Sequence, residues 1–335
     1  MFENNWRTRA SKDILLERAL MLKNIRAFFD ATGVLEVETP LLSHYSTTDL
    51  HLDSLQSHFR DQTCFLNTSP EYAMKRLLAC WKKPIYQICK AFRDDELGPN
   101  HNPEFTLLEW YQPDYDMLQL MEQLTDLVAT LCSLSKLALR NNSPLRNPQF
   151  ERMSYQQAFE NFAGFNPHHA TSAECYQVAK TNHVEIPQGL VVEDEVNDWL
   201  DWLLTQLVLP RFKKDSFTLM YDYPASQCAL AKTMENDQQV LVAKRFELFF
   251  GEIELANGFH ELTDAREQLQ RFQQENAARE QAGKTDGHID ENFIAALTFG
   301  LPECSGVALG LDRLLMVLTN TACIDQVLSF SWENA

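Results

Sequence analysis

The segment FRDDELGPNHNPEFTLLEWY, residues 92–111, combines charged and aromatic residues in a pattern that could bind a nucleotide. Arg93 stands at the end of a strand-like run, directly before a turn rich in Gly, Pro and Asn. A guanidinium group placed there can donate two parallel hydrogen bonds to a phosphate. Phe105 begins the returning strand and can lie against a flat base. The alternative is an exposed hairpin in which Arg93 only pairs with a neighbouring carboxylate.

The end of the same segment carries a carboxylate beside a phenol. Glu109 and Tyr111 alternate with Leu108 and Trp110, and side chains alternate between the two faces along a strand. The pattern therefore predicts Glu109 and Tyr111 on one face of the sheet. A nucleotide and amino-acid site built on a hairpin is the hypothesis that accounts for the whole segment.

A second stretch, EIELANGFHELTDA, is rich in carboxylates. Glu247 precedes Glu254 by seven residues, and a hairpin turn is predicted between them at Gly251. Two carboxylates brought together would repel each other unless a cation lies between them, and Mg²⁺ on a nucleotide takes one or two carboxylates together with phosphate oxygens. The Asn257-Gly258 pair predicts a break or bulge in the strand. The alternative is a solvated acidic edge.

A third stretch, GVALGLDRLLMVL, begins with small residues at alternate positions. Gly306, Ala308 and Gly310 leave a smooth floor on which a ligand can approach the backbone. Arg313 begins the helix that follows. The alternative is a strip of small residues that packs beneath a helix.

The composition narrows the class of protein. Of the 335 residues, 45% are hydrophobic and 23% charged, which is typical of a globular protein with a sizeable core. The 29 basic and 47 acidic residues give a net charge of −18, and general nucleic-acid binding needs clustered basic residues instead. Eight cysteines without a Cys-x-x-Cys pair predict reduced thiols and a cytoplasmic location. Neither a signal peptide nor a run long enough to cross a bilayer is predicted.

Zinc chemistry and nucleophilic catalysis are not favoured. His44, His51 and His58 recur every seven residues, but zinc ligand pairs usually lie closer together and no cysteine joins them. The surroundings of Ser69 do not form a nucleophile elbow. The chain also has no glycine-rich phosphate loop of the Walker type.

The order of the predicted elements indicates an α+β fold with a mixed, mainly antiparallel sheet flanked by helices. An amphipathic helix over 11–30, ended by Gly33, opens the chain. Residues 47–59 are predicted as strand and loop, and a strand, a Ser-Pro turn and a helix follow. Further helices are predicted at 117–139, 155–162, 192–209, 263–282 and 289–300. We expect one catalytic domain over 1–335 with a helical insertion at about 141–215.

Taken together, these stretches resemble the three signatures of class II aminoacyl-tRNA synthetases. The signatures are an amphipathic helix followed by a strand that closes at Pro40, an F-R-x-acid hairpin with HNPEF, and a G-x-x-x-G-x-D-R strand and helix. With TSPEY and ELANGFHEL in the same order, residues 13–330 resemble the catalytic core of lysyl-tRNA synthetases. The first signature helix begins almost at residue 1, so we expect no anticodon-binding domain.

The whole chain is also similar to the family of elongation factor P–(R)-β-lysine ligases, through SPEYAMKRLL, HNPEFTLLEWY, PASQ, ELANGFHELTDAREQ and SGVALG. This resemblance implies ATP- and Mg²⁺-dependent activation of (R)-β-lysine, or lysine, to an aminoacyl-adenylate. The acyl group would then pass to a lysine ε-amino group of elongation factor P. The resemblance further implies a cytoplasmic homodimer with no membrane partner, and tRNA is an unlikely partner.

The resemblance also implies roles for individual residues. Arg93 and Arg313 are the expected catalytic charges, and Glu247 and Glu254 are the expected Mg²⁺ ligands. The expected amino-acid pocket is lined by Ser69, Pro70, Glu71, Glu109, Tyr111, Asn257, Phe259, Glu261 and Ala308. The expected ATP site comprises Arg93, Asp94, Asp95, Asn102, Phe105, Glu254, Leu255, Gly310 and Arg313. Lysyl-tRNA synthetases usually have glycine where Ala308 stands, and in the ligases this alanine shapes the pocket for a β-amino acid.

Two positions depart from the lysyl-tRNA synthetase pattern. Asp95 replaces the glutamate of F-R-x-E, with Glu96 next to it, so that a shorter arm or a shifted register must make that contact. Asn100 stands where an arginine usually precedes the histidine of this turn, which removes one expected phosphate contact.

Three alternative functions remain open on the sequence. They are a truncated lysyl-tRNA synthetase-like enzyme acting on tRNA, a class II asparagine synthetase, and a non-catalytic amino-acid-binding paralogue. Net charge disfavours the first. The predicted glutamate pocket disfavours the second, because an acidic substrate would be repelled. The retained Arg93 and Arg313 disfavour the third, because a sensor has no need to hold a triphosphate.

Overall fold

The computed structural model describes residues 6–138 and 143–335. Its helices, in chain order, are α1 Lys12–Thr32, α2 Glu71–Trp81, α3 Met117–Leu134, α4 Tyr155–Phe162, α5 Ser172–Thr181, α6 Val196–Leu203, α7 Ala265–Gln281, α8 Glu291–Gly300 and α9 Leu311–Thr319. Its strands are β1 Leu35–Glu36, β2 Leu42–Ser43, β3 Gln56–Phe59, β4 Gln62–Leu66, β5 Ile85–Phe92, β6 Glu104–Pro113, β7 Phe150–Ser154, β8 Phe217–Pro224, β9 Thr233–Glu235, β10 Leu241–Phe250, β11 Ile253–His260 and β12 Cys304–Gly310.

The chain divides into two compact units. The first comprises the chain up to Arg146 together with Leu262–Ala335, and the second is Asn147–Glu261. The predicted single catalytic domain with an insertion stays a prediction, and its proposed start at residue 141 lies outside the described residues.

The first unit is built on a mixed sheet with the strand order β1-β5-β6-β12. Strands β5 and β6 form the predicted antiparallel hairpin, β12 pairs antiparallel with β6, and β1 runs parallel to β5. A smaller antiparallel sheet has the order β2-β4-β3. Within the predicted strand and loop over 47–59, only Gln56–Phe59 is a strand.

Helix α1 begins and ends where its sequence predicts. The Ser11 side chain accepts a hydrogen bond from the Ile14 N–H at 3.3 Å, and Gly33 ends the helix with a φ of 71°. Asn, Ser and Thr satisfy free N–H groups at helix starts, while glycine adopts this left-handed conformation without steric cost. The inward face of α1 buries Met21, Ile25 and Phe29.

Helix α3 is shorter than predicted. It ends at Leu134 because Ser135 adopts an extended conformation, with φ −71° and ψ 121°. The predicted end at residue 139 lies outside the described residues.

The second unit has an antiparallel sheet in which β10 lies between β8 and β11, while β7 runs parallel to β8. Its helices bury an apolar cluster against this sheet, formed by residues such as Tyr155, Phe159, Trp199 and Val208. Helix α4 has the predicted bounds. The single helix predicted over 192–209 is wrong in detail, because α6 begins at Val196 and continues as a π-helical segment and a short 3-10 turn around Pro210. Proline has no N–H to continue an α-helical ladder.

The hairpin turn at Gly251 is confirmed, with a φ of 54°. The predicted break at Asn257-Gly258 is wrong. Strand β11 runs through both residues, which pair with Glu247 and Phe246 of β10. The irregularity falls earlier on β11, between the pairs Leu248–Ala256 and Phe249–Glu254, so Leu255 is the extra residue of a bulge. Strand propensity is a property of one segment, whereas the pairing register depends on both strands.

Taken by unit, the mixed and mainly antiparallel pairing with flanking helices confirms the predicted α+β class. No helix in the described part of the chain is both long and apolar enough to span a membrane.

Candidate active site

Strand β6 places the carboxylate of Glu109 inside the first unit. The Tyr111 hydroxyl donates to Glu109 Oε1 at 2.6 Å, and the Ser69 hydroxyl donates to Glu109 Oε2 at 2.7 Å. The predicted common face of Glu109 and Tyr111 is therefore confirmed. Ser69 Oγ also accepts from the Glu71 N–H at 3.1 Å, at the start of α2. The Ser-Pro turn thus brings Ser69, Pro70 and Glu71 to the same part of the unit as Glu109.

Glu109 is only 2% exposed. Burial raises the pKa of Glu109 to about 7, with a further contribution from the negative charge of Glu71. The hydrogen bonds from Tyr111 and Ser69 oppose this rise, because they stabilise the ionised form. Carboxyl groups whose pKa is raised toward neutrality by burial are common at functional sites.

Strand β12 provides the floor beside this carboxylate. Ala308 pairs directly opposite Glu109, and Gly306 pairs opposite Tyr111. Residues paired across two strands lie on the same face. The small residues predicted as a ligand floor therefore lie on the face that carries Glu109 and Tyr111, and Gly310 follows at the start of α9.

Lys75 was missed by the sequence analysis. It lies on α2 one turn after Glu71, is 1% exposed, and its Nζ is 2.5 Å from Glu71 Oε1. The rings of Tyr111 and Phe293 lie 5.9 and 5.8 Å from the same ammonium group. The i, i+4 spacing of Glu71 and Lys75 was a signal for this ion pair, but nothing in the spacing reveals that the lysine is buried.

The second group of charges in the first unit surrounds Arg93. Its guanidinium group lies 5.1 Å from the Phe105 ring centroid, and Nη1 is 3.3 Å from Glu96 Oε1. Glu96 is thus the carboxylate that pairs with Arg93, while the preceding Asp95 adopts a left-handed φ of 58°. The ion pair between Arg93 and a neighbouring carboxylate, which the alternative of an exposed hairpin predicts, is present. However, Arg93 Nε is buried and has no hydrogen-bond partner among the described residues. An N–H in this state suits an incoming anion.

Arg313, on α9, contacts the turn that joins β5 to β6. Its Nε donates to the Asn100 carbonyl oxygen at 3.2 Å, and its Nη2 lies 2.7 Å from His101 Nε2. Burial, followed by the Arg313 charge, lowers the pKa of His101, so the neutral ring accepts this bond at neutral pH. Asn102 is held by its own bonds, since Nδ2 donates to the Glu104 carbonyl and Oδ1 accepts from the Trp332 N–H.

Asp312, next to Arg313, fixes the start of α9. Its Oδ1 is 2.6 Å from Arg18 Nη1 of α1, and its Oδ2 accepts from the Thr106 N–H at 2.6 Å. Arg18 also donates to Thr106 Oγ1 at 2.7 Å. Since Thr106 follows Phe105 on β6 and Asp312 precedes Arg313, this network fixes the backbone next to two residues of the expected ATP site. Elsewhere in the turn, the Asp94 N–H donates to the Asp53 carbonyl at 2.9 Å.

In the second unit the structure adds a cation to the predicted carboxylate pair. Arg245 forms an ion pair with Glu247 Oε1, and the Tyr223 hydroxyl donates to Glu247 Oε2 at 2.6 Å. Arg245 also lies 4.6 Å from the Tyr223 ring centroid and donates to Asn257 Oδ1 at 3.3 Å. The Glu254 charge contributes to raising the pKa of Arg245. The spacing of the carboxylates predicts a cation here, and the chain itself supplies one in Arg245, which pairs with Glu247.

The donor set of this hairpin is still compatible with Mg²⁺. Each oxygen of Glu247 accepts one hydrogen bond and keeps a further lone pair, and two carboxylates are the usual protein contribution to a nucleotide's Mg²⁺. No group of three or more His, Cys, Asp or Glu residues that could hold a metal ion occurs in residues 6–138 and 143–335. The remaining predicted residues of this unit, Leu255, Phe259 and Glu261, lie on or directly after β11, and Leu255 and Glu261 are buried.

Comparison with known proteins connects these features to one family. The sequence profile described as tRNA synthetases class II (D, K and N) matches residues 4–334. The chain belongs to this family. The class II match accounts for the predicted hairpin, the small-residue strand and the helix that begins with Leu311, and it confirms the class II synthetase-like fold.

Within the class II synthetases, the chain is similar to a group of bacterial ligases. A protein of Pasteurella multocida (strain Pm70) is 41% identical over the full length of both chains. Relatives in Avibacterium paragallinarum and Haemophilus ducreyi (strain 35000HP / ATCC 700724) are 41% and 40% identical. The first covers all of both chains, and the second covers 99% of this chain and 97% of the relative. All three are named elongation factor P–(R)-β-lysine ligase, and the chain belongs to that family of class II enzymes.

Proposed function

We propose that the protein is an ATP-dependent ligase that activates (R)-β-lysine and transfers it to a lysine ε-amino group of elongation factor P. Full-length relatives with this name support the proposal. The observation in the structure that carries it is the buried Glu109, held by Ser69 and Tyr111 beside Glu71. A buried carboxylate of this kind suits an ammonium ligand, since an ionised group away from water needs an opposite charge.

Amine recognition is assigned to Glu109 and Glu71, with the Tyr111 and Ser69 hydroxyls fixing the Glu109 carboxylate. Ala308 opposite Glu109 sets the width of the pocket floor. Because (R)-β-lysine carries the amino group nearer its carboxylate on C3 instead of C2, a methyl group at this position is a means of distinguishing the two isomers. The role of Asn257, Phe259 and Glu261 as further pocket residues stays a prediction.

Activation is assigned to attack by a substrate carboxylate oxygen on the α-phosphorus of ATP. A P–O bond forms at the α-phosphorus, the bond to the β-phosphate oxygen breaks, and pyrophosphate leaves with that electron pair. No protein nucleophile takes part. Arg93 binds the phosphate through its unused Nε and the rest of its guanidinium group, and Phe105 and Arg313 hold the base. Such charges act by orienting the reactants and by stabilising negative charge that develops on the phosphate.

Mg²⁺ is assigned to Glu247 and Glu254, where it would neutralise phosphate charge. Arg245 pairs with Glu247 and neutralises part of the charge of that carboxylate. An ATP site that includes Asp94, Asp95, Asn102, Leu255 and Gly310 stays a prediction.

The second step moves the acyl group from the adenylate to an amine. The acceptor nitrogen attacks the acyl carbon, the carbon–oxygen bond to AMP breaks, and the amine loses a proton. The names of the relatives favour this acceptor over a tRNA ribose, over asparagine synthesis and over a non-catalytic role. Homodimerisation, a cytoplasmic location and the absence of a tRNA partner stay predictions.

Amino-acid-dependent exchange of labelled pyrophosphate into ATP tests the activation step directly. We expect exchange with (R)-β-lysine, weaker exchange with L-lysine, and none with aspartate or asparagine. Exchange with aspartate, or no exchange with any amino acid, would reject the proposal. Ala308→Gly should narrow the difference between the two lysine isomers, and the exposed Ala282→Gly serves as the matched control.

A further inference from the structure

Lys75 carries a charged ammonium group in the protein interior, where lysine side chains are rarely found. It is 1% exposed, lies on α2 inside the first unit, and is among the largest fully buried side chains of the protein. Removing a lysine charge from water costs several kcal/mol unless a partner compensates it. The position therefore needs an explanation that the assigned functions of Glu71 and Glu109 do not yet provide.

The surroundings of Lys75 are those of a fixed counter-ion. Its Nζ is 2.5 Å from Glu71 Oε1, while the ring centroids of Tyr111 and Phe293 lie 5.9 and 5.8 Å away. Both rings are within the distance at which a cation interacts favourably with an aromatic face. Tyr111 in turn donates to Glu109, the other carboxylate of this group.

The buried Glu109 and the partly buried Glu71 are two carboxylates in one group, and their negative charges repel each other. The charge of Glu71 raises the pKa of Glu109 and the charge of Lys75 lowers it, so both act on the same carboxyl group. Carboxylates that share a site without a cation normally share a proton as well, because like charges at short range do not both ionise. A carboxyl group that keeps its proton cannot form an ion pair with a substrate ammonium group.

We propose that Lys75 is a positioning residue that favours the ionised form of Glu109 beside the Glu71 carboxylate and holds Glu71 in place, so that the pocket is ready to bind an amine. This inference rests on the proposed function for its consequence, but its electrostatic part concerns the protein alone. Lys75 contributes no atom to the reaction. Its charge sets the protonation of the carboxylates that bind the substrate.

Other titratable groups in this unit do not supply the same charge balance. Tyr72, next to Glu71 on α2, and Cys89, beside Glu109 on β5, are affected by these carboxylates. Burial raises the pKa of Cys89 to about 12 and that of Tyr72 well above its ordinary value. Both groups are therefore neutral at pH 7, as is the Tyr111 hydroxyl while it donates to Glu109.

The first experiment measures carboxyl protonation without any ligand. Carbon-13 NMR of side-chain-labelled glutamate, recorded from pH 5 to 9, is compared for the wild type, Lys75→Met and Arg76→Met. Arg76 is the adjacent, exposed residue of the same helix, so its variant removes the same charge from the surface. We expect Lys75→Met alone to shift a buried glutamate titration upward by at least one pH unit. Identical titrations in Lys75→Met and Arg76→Met would overturn the inference.

The second experiment measures the binding of (R)-β-lysine by calorimetry at pH 7 in two buffers of different ionisation enthalpy. Lys75→Met should bind roughly tenfold or more weakly than the wild type and release more protons on binding, since one pH unit of carboxyl pKa corresponds to about tenfold. Its KM for ATP should be unchanged, whereas general unfolding would affect both substrates. The double variant Glu71→Gln/Lys75→Met should lose the extra proton release, because it removes both members of the pair.

The two proposals fail in different ways. Unaltered binding and proton release in Lys75→Met would overturn the counter-ion inference and leave the ligase assignment standing. If the wild type binds neither lysine isomer while the glutamate titration still shifts in Lys75→Met, the ligase assignment fails and the electrostatic inference holds.

Discussion

At the scale of single residues, Glu109 is the group on which amine recognition depends. Burial and the charge of Glu71 raise the pKa of Glu109 to about 7, so the carboxyl group gains a proton as pH falls below neutrality. Only the ionised form pairs with an ammonium group. Affinity for the amino acid should therefore increase as pH rises through 7, until the substrate amines themselves lose protons.

We predict that KM for (R)-β-lysine falls several-fold between pH 6 and pH 8 in the wild type. Glu109→Gln should raise KM roughly a hundredfold and remove this dependence, because a hydrogen bond to a charged group contributes about 1.5–3 kcal/mol. The matched control is Glu104→Gln on the same strand, where an exposed carboxylate pairs with Lys90 at 3.1 Å. A KM that does not change over this range in the wild type would contradict the role of Glu109.

The residues that the sequence analysis found and those that it missed differ in a physical respect. Glu109, Tyr111 and Arg93 follow from strand alternation and turn position, which are local properties. Lys75 and Arg245 were missed because their importance comes from burial and from partners on other elements. In a sequence, a buried lysine and a surface lysine of the same helix look alike.

At the scale of elements, the contact of α9 with α1 and β6 depends on one carboxylate. Asp312 is 2% exposed and holds Arg18 and the Thr106 N–H, each at 2.6 Å. Removal of one partner leaves the other charge buried without compensation, which costs about 3–5 kcal/mol.

We therefore predict that Asp312→Asn lowers the free energy of unfolding by about 3 kcal/mol or more, measured by urea denaturation. Asp325→Asn removes an equivalent charge from the partly exposed pair with Arg9 and should cost less than about 1 kcal/mol. Equal effects of the two variants would show that the network around Asp312 does not hold these elements.

A second contact between elements joins α7 to the loop that follows β2. Thr48 Oγ1 donates to Glu275 Oε2 at 2.5 Å, and Thr48 is also bonded to the Tyr72 hydroxyl of α2. Burial raises the pKa of Glu275 to about 7. Because this pKa lies above the unfolded value of 4.5, the folded state binds the proton more tightly. The resulting stabilisation is complete below pH 4.5 and is lost as pH rises through 7.

We predict that Glu275→Gln stabilises the protein at pH 8 by up to about 3 kcal/mol and has little effect near pH 4.5. The amide oxygen still accepts from Thr48, and no charge is buried. Glu267→Gln on the same helix, where the carboxylate pairs with Arg271 at the surface, should not change the pH dependence of thermal unfolding. If the unfolding temperature of Glu275→Gln changes with pH in parallel with that of the wild type, Glu275 does not contribute to the pH dependence of stability.

The elements themselves were predicted well where the signal is local. The Ser11 cap and Gly33 set α1, and the Gly98-Pro99 turn sets the β5–β6 hairpin. The bulge at Leu255 and the π-helical segment after α6 depend on pairing and packing with distant residues. The Asn257-Gly258 prediction failed for this reason, since the partner strand keeps both residues in register.

At the scale of the whole molecule, the class II signature of α1 and Pro40 predicts a homodimer. Large apolar side chains are exposed along this part of the chain, including Leu16, Leu35 and Leu42. Exposed side chains of this kind can be buried in a subunit contact.

We expect light scattering at micromolar concentration to give twice the mass of the chain. The double variant Leu35→Lys/Leu42→Lys should shift this value toward the monomer, because it introduces like charges into the contact. Leu118→Lys, at an equally exposed leucine of α3, is the control. A wild-type monomer at that concentration would be contrary to the prediction.

The measurement that tests the central claim most directly is the intact mass of elongation factor P after incubation with the protein, ATP, Mg²⁺ and (R)-β-lysine. We predict a mass increase equal to one β-lysyl group on a single lysine. The increase should depend on ATP and be lost with Arg93→Ala, while the exposed control Arg60→Ala should retain it. An unmodified elongation factor P, together with acylation of tRNA under the same conditions, would contradict the account.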